Sequence, residues 1–347
     1  MSIEIRPLDT STLLGMYRDV PRPDNYFRSV FTQSVFASPE EFIDFGKITE
    51  QRKLAPLVVP TAQGRPIYSE SSRAYRFKPA YVKPKDPVSP ERAIKRRPDE
   101  NIFSPSQLTP LARFLRIVGD IMRAHREAIE NRMEWLAAQA VIHGKVTLEG
   151  PDYPTTVVDF ERDPNHTVTL TAPGAIWSNP DAPIIDQVNE WIETVRRAEF
   201  GGAVNRITLG RNVVGPFLKN KQVIEQMDTQ YRGVNGDVNR GLRSGAFTEY
   251  LGRISGTEIW TTSDWYTKPD GSQGIHMPED GVLLSSPAVN LVECYGAILD
   301  SAANLQALPV FPKMWENQDP SVTYLMHQSA PLAVPVNPNA TLFATVL

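Results

Sequence analysis

The chain has 347 residues, and at roughly 150 residues per domain this length corresponds to about two domains or one large elaborated one. Hydrophobic residues make up 41% and charged residues 22%, which excludes a disordered tail or a coiled-coil rod. The formal net charge of −4 argues against a dedicated nucleic-acid binder, which would be strongly basic. The one cysteine, Cys294, excludes an intrachain disulfide and indicates a reducing compartment.

The chain shows no targeting or membrane signal. No apolar stretch approaches the ~20 residues that a membrane span needs, and the first ten residues lack the charge pattern of a signal peptide. We therefore expect a soluble protein that is intracellular when made, and neither secreted nor inserted into a membrane. Proline is the unusual residue, because 30 prolines in 347 residues exceed the typical ~5%.

Residues 1–50 contain few long periodic runs and carry a net charge of −3. A short apolar cluster at 26–36 is their main hydrophobic feature. This pattern is typical of an arm that docks on another surface rather than of a domain with its own core.

Residues 51–110 contain ten prolines, each of which fixes φ, removes a donor and favours extended geometry in the preceding residue. The segments 54–60 and 65–71 are predicted to form two extended arms around 62–64. Because a hairpin with so little to pack against is marginal alone, we expect an extended loop that another subunit orders. A disordered linker is the alternative.

The stretch from Arg73 to Arg97 is basic, with nine basic and two acidic residues and a local charge of +7. It is either a solvated surface or a contact with an acidic surface or nucleic acid. No aromatic stacking platform is interleaved with these charges, so sequence-specific nucleic-acid binding is not expected. The acidic residues 1–50 of a neighbouring copy are a candidate partner.

The strongest secondary-structure signal follows, because no proline occurs between Pro110 and Pro151. Thr109 suits an N-cap, Pro110 a first helical residue and Gly144 a C-terminal stop. Apolar and charged positions each recur every three or four residues, which predicts opposite faces of one helix over 110–143. At ~1.5 Å per residue this spine helix is about 51 Å long, and we expect it to lie on a sheet, with a coiled coil as the alternative. The charged positions are 113, 116, 120, 123, 127, 130 and 134.

Beyond this helix, alternating patterns and turn residues predict further strands and helices. Their alternation indicates a compact α/β unit over about 176–310, inserted into an outer domain that contains the long helix. The predicted strands are 146–150, 155–162, 166–172, 205–210, 258–266, 277–286, 293–300 and 322–338; the predicted helices are 184–199 and about 216–228, and a hairpin turn is predicted at 268–271.

The sequence contains none of the motifs that identify catalytic or metal sites, such as HExxH, CxxC, GxSxG or a phosphate loop. We therefore predict no catalytic, cofactor-binding or metal-binding residues. The five histidines are scattered, and His125, on the apolar stripe of the long helix, is predicted to be packed or hydrogen-bonded. Cys294 is predicted to be a buried apolar thiol.

Several segments, in this order and spacing, resemble the major capsid protein of lambda-like tailed phages (the major capsid protein E family). The resemblance extends over most of the chain from about residue 40 onward and includes a near-equal chain length. The segments are PAYVKPKDPVSPERAIKRRPDEN (79–101), MPEDGVLLSS (277–286), ECYGAILD (293–300), PKMW (312–315) and DPSVTYLMHQSAPLAVPVNPNA (319–340).

The resemblance implies an α+β protein with the Hong Kong 97-type capsid fold. Neighbouring subunits would supply the core that the arm and the extended loop lack. The implied parts are an N-terminal arm (1–45), an extended E-loop (46–90), a peripheral (P) domain with the spine helix (91–175), an inserted α/β axial (A) domain (176–310) and a C-terminal return to the P domain (311–347).

The resemblance also implies a structural, non-enzymatic major capsid protein that self-assembles into the icosahedral shell around phage double-stranded DNA. It implies a location in the virion, and in the host cytoplasm during assembly. The implied partners are other copies in hexamers and pentamers, scaffold, portal and decoration proteins, and packaged DNA by non-specific contact, with no cofactor and no membrane. An encapsulin-like compartment shell and an α/β hydrolase are the alternatives. The candidate subunit-interface residues are Leu57, Val58, Val59, Ile67, Tyr68, Arg73, Arg76, Lys83, Lys85, Arg96 and Arg97.

Overall fold

The computed structural model describes residues 7–23, 25–40, 42–49, 71–95, 109–150, 153–225, 247–254, 256–268, 270–319 and 321–347. Helices and strands alternate along these ranges, so the predicted α+β class is confirmed. The helices are α1 (Thr10–Asp19), α2 (Tyr26–Phe31), α3 (Pro90–Ile94), α4 (Pro110–His143), α5 (Ile184–Arg197) and α6 (Arg211–Lys219). The strands are β1 (Thr32–Ala37), β2 (Ile43–Thr49), β3 (Ser71–Phe77), β4 (Lys85–Val88), β5 (Lys145–Gly150), β6 (Tyr153–Asp159), β7 (Thr167–Thr169), β8 (Arg206–Leu209), β9 (Thr248–Ile254), β10 (Thr257–Thr262), β11 (Trp265–Thr267), β12 (Gln273–Ile275), β13 (Gly281–Ser285), β14 (Leu291–Tyr295), β15 (Phe311–Asn317), β16 (Val322–Gln328), β17 (Pro331–Pro335) and β18 (Thr341–Thr345).

The long helix α4 begins and ends where the sequence predicts. At its start the Ala112 N–H donates to the Thr109 hydroxyl at 3.2 Å. At its end Gly144 takes a left-handed φ of 65° and donates its N–H to the Ala140 carbonyl at 3.1 Å. The first half of α4 packs with α1 and α3, and the second half lies on β17, β5 and β18. It is therefore a spine against sheets of its own chain, and the coiled-coil alternative is wrong.

A six-stranded sheet, ordered β7-β18-β13-β8-β10-β9, forms the centre of one hydrophobic core. The helices α5 and α6 cover it, and their apolar faces bury Trp177, Trp191 and Phe217 between helix and sheet. The strands β7 and β18 come from outside 176–310, so the sheet crosses both boundaries predicted for the α/β unit. The reason is that Leu342 and Ala344 of β18 are fully buried in this core, which joins the C-terminus to it.

The helix predicted from about Pro216 to Asp228 has different bounds. The observed α6 begins at Arg211 and ends at Lys219, with Pro216 inside it, and a short helical segment follows at 221–225. Residues 226–228 lie outside the described ranges. Pro216 lies beyond the first turn of α6 and cannot donate an N–H to the Asn212 carbonyl, and the helix ends three residues later at Lys219.

A three-stranded sheet, ordered β1-β14-β17, connects the N-terminal segment to the main core. The main core is the cluster of buried apolar side chains around the second half of α4, β14 and β17. The strand β1 runs parallel to β14, which is more than 250 residues away in sequence. Ahead of β1, the side chains of Leu13, Phe27 and Phe31 are buried against this chain's own α4 and sheets. The prediction that neighbouring subunits supply the core of the arm is therefore wrong for this segment.

Three two-stranded hairpins and a third larger sheet complete the described fold, and one of these hairpins pairs β5 with β6 directly after α4. The strands β2 and β3 pair from Ile43↔Phe77 to Thr49↔Ser71, with 50–70 between them outside the described ranges. The predicted hairpin around 268–271 is confirmed, since Trp265 pairs with Ile275 in β11–β12. The third sheet is ordered β15-β16-β4 and joins the C-terminal hairpin to the segment that follows β3. No described helix is long and apolar enough to cross a membrane.

Candidate subunit interfaces

The β2–β3 hairpin is anchored at its root. Ile43 is 1% exposed in the main core, and Phe45 and Phe77 pack against that core. Arg76 donates to both carboxylate oxygens of Asp44, at 2.9 and 3.0 Å, and its guanidinium lies 5.6 Å from the Phe42 ring centroid. These contacts attach the root of the hairpin to the body of the protein.

The candidate interface residues fall into two groups. Arg73, Arg76, Lys83 and Lys85 lie in described segments, and the backbone of Arg73 pairs with Lys47 in the β2–β3 ladder. The others lie outside the described residues, as do the predicted arm 54–60 and all but the last residue of the arm 65–71. Those others are Leu57, Val58, Val59, Ile67, Tyr68, Arg96 and Arg97.

Two lysines of the basic stretch stand on aromatic rings. The Lys85 ammonium lies 4.1 Å from the Tyr324 ring centroid and 5.1 Å from that of Trp315, and these two rings stack at 5.6 Å. The Lys83 ammonium lies 4.7 Å from the Tyr81 ring centroid. Cation–π contacts of this kind hold an exposed ammonium in place while leaving its charge available to a partner. The sequence did not reveal them, because Trp315 and Tyr324 are more than 200 residues from Lys85.

A buried charge network joins the N-terminal segment to the spine helix. Arg28 on α2 donates to both carboxylate oxygens of Glu293 on β14, at 2.7 and 3.0 Å, and also to Glu130 on α4. On the next turn of α4, Glu134 accepts the N–H groups of Phe27 and Arg28 at 2.6 and 3.0 Å. Arg126, one turn earlier, donates to the Val20 carbonyl at 2.6 Å and also to that of Tyr17.

The sequence placed Glu130 and Glu134 on the charged face of α4, opposite its apolar face, but these two residues and Arg126 are not exposed to solvent. All three are buried because α1 and α2 cover this side of the helix. A signal was present, since two glutamates four residues apart repel each other on a solvated helix and so favour a cation from elsewhere. The sequence could not identify Arg28 as that cation.

The network perturbs the pKa values of its members. Burial opposes ionisation, yet the hydrogen bonds and charge of Arg28 lower the pKa of Glu293. Burial raises the pKa of Glu134 to about 7, despite its two backbone N–H donors. Burial likewise raises the pKa of the nearby Asp264 to about 6. The junction between arm, spine and sheet therefore contains carboxyl groups that titrate near neutral pH.

Several apolar side chains remain exposed on segments that a single copy leaves uncovered. Five of the six residues of β1 are exposed, including Val35 (60%) and Phe36 (48%). The hairpin β11–β12 exposes the directly paired Trp265 and Ile275, at 47% and 42%. A cavity of about 610 Å³ opens beside β1, with Val35 and Phe247 among its lining residues. An isolated exposed apolar residue is normal, but adjacent ones on a strand edge indicate an interaction surface.

Two other residues that the sequence singled out, His125 and Cys294, lie in the packed interior of the protein. His125 is buried and hydrogen-bonded, and Cys294 is a buried thiol whose pKa burial raises to about 11, so both predictions are confirmed. Within the described ranges no group of three or more histidine, cysteine or acidic residues could hold a metal ion.

The arrangement of a long spine helix, a projecting two-stranded hairpin and an inserted α/β sheet is the Hong Kong 97-type fold of phage capsid proteins. The crystal structure of a proposed prophage capsid protein from Escherichia coli CFT073 superposes with a TM-score of 0.75 at 22% identity, covering 99% of this chain and 100% of the other. The mature capsid protein of bacteriophage PhiM1 has a TM-score of 0.51 at 12% identity, covering 99% and 92%. The predicted fold is therefore confirmed.

Sequence comparison identifies the family. The family described as phage major capsid protein E matches residues 9–346. The major capsid protein of Enterobacteria phage P21 is 29% identical over 324 residues, covering 90% of this chain and 92% of that protein. The major capsid protein of Escherichia phage lambda is 28% identical over 336 residues, covering 95% and 96%. The chain belongs to the phage major capsid protein E family, the shell-forming head proteins of lambda-like phages, which confirms the resemblance and favours a phage head over the alternatives.

Proposed function

We propose that copies of this chain join head to tail into the closed icosahedral shell of a phage head around double-stranded DNA. In this role the chain is structural rather than enzymatic, and its place is the virion after assembly in the host cytoplasm. The observation that carries the proposal is the open, apolar edge of β1 on a chain of this family. A monomeric protein avoids such an edge, because it is a template for pairing with another chain.

The open edge of β1 has a definite backbone chemistry. Ser38 donates its N–H to the Tyr295 carbonyl at 2.8 Å, which places the N–H and C=O groups of Phe36 toward β14. The groups of Val35 and Ala37 therefore face the open side, where no described strand pairs with them. We propose that an extended segment of a neighbouring copy adds to this edge, with Val35 and Phe36 packing against it.

A second contact is proposed at the β11–β12 hairpin. A two-stranded hairpin is marginally stable alone, and the Trp265–Ile275 pair faces away from the rest of this chain. A large aromatic side chain on a rigid hairpin is well suited to fill a pocket of a partner. We propose that this pair packs on the neighbouring copy, whereas Tyr266 on the same hairpin packs on His276 of its own chain.

We propose the division into arm (1–45), E-loop (46–90), P domain (91–175), A domain (176–310) and C-terminal return (311–347), with two refinements. Support for the E-loop comes from the β2–β3 ladder, because the two strands that flank 50–70 in the chain pair with each other and with no other described strand. The first refinement is that β1, rather than the whole arm, reaches neighbours. The second is that the P and A domains share the C-terminal segment, because β17 and β18 enter different sheets.

The proposed partners follow from the shell function. Hexamers and pentamers of this chain would form the lattice, and scaffold, portal and decoration proteins would bind it. Packaged DNA would make only non-specific contact, and the basic stretch with Lys83 and Lys85 held on aromatic rings is the candidate surface. The basic candidates outside the described residues, Arg96 and Arg97, belong to the same stretch.

Negative-stain electron microscopy of the purified, overexpressed chain tests the proposal. We expect closed shells, tubes or shell fragments, either from the chain alone or together with the other head proteins of its phage. Deleting 54–68 should leave a soluble subunit that forms no shells, and intact shells from that deletion would refute the E-loop assignment. Nucleic acid inside the shells supports a phage head, whereas a protein cargo would indicate a compartment instead.

A matched pair of surface variants tests the β1 edge. Val35→Lys places a charge on the open edge, and we expect a folded subunit that does not assemble. Leu299→Lys is the control, because Leu299 is similarly exposed (52%) but lies outside every strand. Normal shells from the Val35 variant would show that β1 is not an interface.

A further inference from the structure

Four segments that are distant in sequence meet at a pair of buried histidines. His125 on α4 and His327 on β16 are 2% and 0% exposed, and their Nδ1 atoms lie 2.8 Å apart. The other ring nitrogen of His125, Nε2, lies 2.8 Å from a carboxylate oxygen of Asp86 on β4. The ring of Tyr17 on α1 packs on His327 with 5.3 Å between centroids. The histidine clasp denotes these four residues.

The distances specify one arrangement of protons. A hydrogen bond between two Nδ1 atoms needs a proton on one of them and a lone pair on the other. Because the Asp86 carboxylate accepts from Nε2 of His125, neutral His125 has a bare Nδ1. His327 must therefore donate its Nδ1–H to His125, and its own Nε2 is bare. That Nε2 atom is buried and has no hydrogen-bond partner among the described residues.

An additional proton has no favourable position in this arrangement. On Nδ1 of His125 it either sets two N–H groups against each other at 2.8 Å or moves the proton of His327 to its buried Nε2 atom, which has no acceptor. On Nε2 of His327 it would create a buried cation without an acceptor. Burial, together with the His125 ring, lowers the pKa of His327 to about 3, and burial lowers that of His125 against the opposing effect of Asp86.

The charged and titratable neighbours compensate for that proton only in part, because the one carboxylate that faces His125, Asp86, is 55% exposed and screened by solvent. From α1, Tyr17 presents a hydroxyl that is itself buried without a partner. From α4, the Arg126 guanidinium lies 4.7 Å from the Tyr17 ring, and Glu130 lies 3.9 Å from Arg126, so this carboxylate faces the arginine. From β4, Asp86 already accepts from His125.

We propose that the histidine clasp is a proton-sensitive joint that holds β4, at the exit of the β2–β3 hairpin, and α1 to the spine helix at neutral pH and releases them in acid. Uptake of one proton by the pair leaves the Nε2–H group of His327 buried without an acceptor, and this cost favours separation of the sheet β15-β16-β4 from α4. The joint is a property of the single chain, so it does not depend on the proposed shell function. Its consequence is that the attachment of β4, the strand that follows the β2–β3 hairpin in the chain, becomes sensitive to pH.

Hydrogen exchange of the full-length chain, corrected for intrinsic exchange rates, tests the joint. One proton taken up on opening makes the opening equilibrium rise by about tenfold per pH unit below the ordinary histidine pKa of 6.5. Between about pH 7 and about pH 4.5 we therefore expect protection of β4 and β16 to fall by about tenfold or more relative to β13. Equal behaviour of the three strands would overturn the proposal.

Two variants separate the joint from general acid sensitivity. In His327→Asn the amide can turn either its N–H or its oxygen toward His125, so the acid-induced loss of protection should fall below about twofold. His276→Asn is the control, because His276 is also buried and its pKa is lowered to about 4 by burial, but it lies outside the clasp. It should retain the wild-type loss at β4 and β16.

The persistence of that loss in His327→Asn would overturn the proposal. If this variant does not fold, the ring resonances of the wild-type protein decide. Titration of His125 and His327 at the ordinary pKa of 6.5, with no change in exchange at β4, would show that the clasp carries no pH sensitivity.

Discussion

Removing the Arg28 side chain should destabilise this protein far more than removing an equally well-paired arginine from its surface. Arg28 bonds both oxygens of Glu293 and also contacts Glu130, and the three side chains are only 14%, 6% and 11% exposed. Arg28→Met leaves the buried Glu293 without its cation and Glu130 with only Arg126, at 3.9 Å. Breaking a buried pair in this way costs about 3–5 kcal/mol. We expect a loss of this size in the free energy of unfolding, measured by urea denaturation.

Arg76→Met is the matched control, because Arg76 bonds Asp44 with the same two-pronged geometry while the side chains are 63% and 50% exposed. Solvent screens this pair, so its loss should hardly change the unfolding free energy. The double variant Arg28→Met, Glu293→Met should lose less than Arg28→Met alone, because one stranded charge is gone. Equal losses for Arg28→Met and Arg76→Met would refute the view that burial decides the importance of these pairs.

Three further predictions concern the spine helix and the main core. Gly144→Ala should lower the unfolding free energy by about 1–2 kcal/mol or more, because φ is 65° and a Cβ there would meet the Arg162 Cβ at 2.7 Å. Gly119→Ala is the control: this position has open space around it, so the substitution should raise the unfolding free energy by about 0.5–1 kcal/mol. Cys294 should react with an aromatic disulfide reagent only after denaturation, since its pKa is raised to about 11 by burial, and rapid reaction of the folded protein would contradict this. Because the pKa of Glu134 is raised from 4.5 to about 7, the contribution of this residue to stability is complete below pH 4.5 and is lost as pH rises through 7. Glu134→Gln should not show that loss when its unfolding in urea is measured across this pH range. Parallel pH profiles for the variant and the wild type would contradict this prediction.

The sequence alone determined the parts of the fold whose signals are local. The helix α4 was predicted to its end residues, because Thr109, Pro110 and Gly144 act on backbone groups within four residues of themselves. The β11–β12 hairpin and the strands β8 and β13 follow from alternation and turn residues in the same way. Family membership was also available, since it rests on the order and spacing of whole segments. For the candidate interfaces, the sequence located the basic stretch, whereas the two arms that it predicted at 54–60 and 65–71 lie almost wholly outside the described residues.

Tertiary structure alone decided which charged and polar side chains are buried. Periodicity divides α4 into an apolar and a charged face. Whether the charged face is exposed to solvent depends on α1 and α2, which lie about 100 residues earlier in the chain. The partners of Glu134 are backbone N–H groups of α2, and the partner of His125 is 202 residues away. The edge position of β1 likewise depends on β14. Hydrogen bonding and burial act through space, so a local pattern can indicate that a polar group needs a partner but cannot identify it.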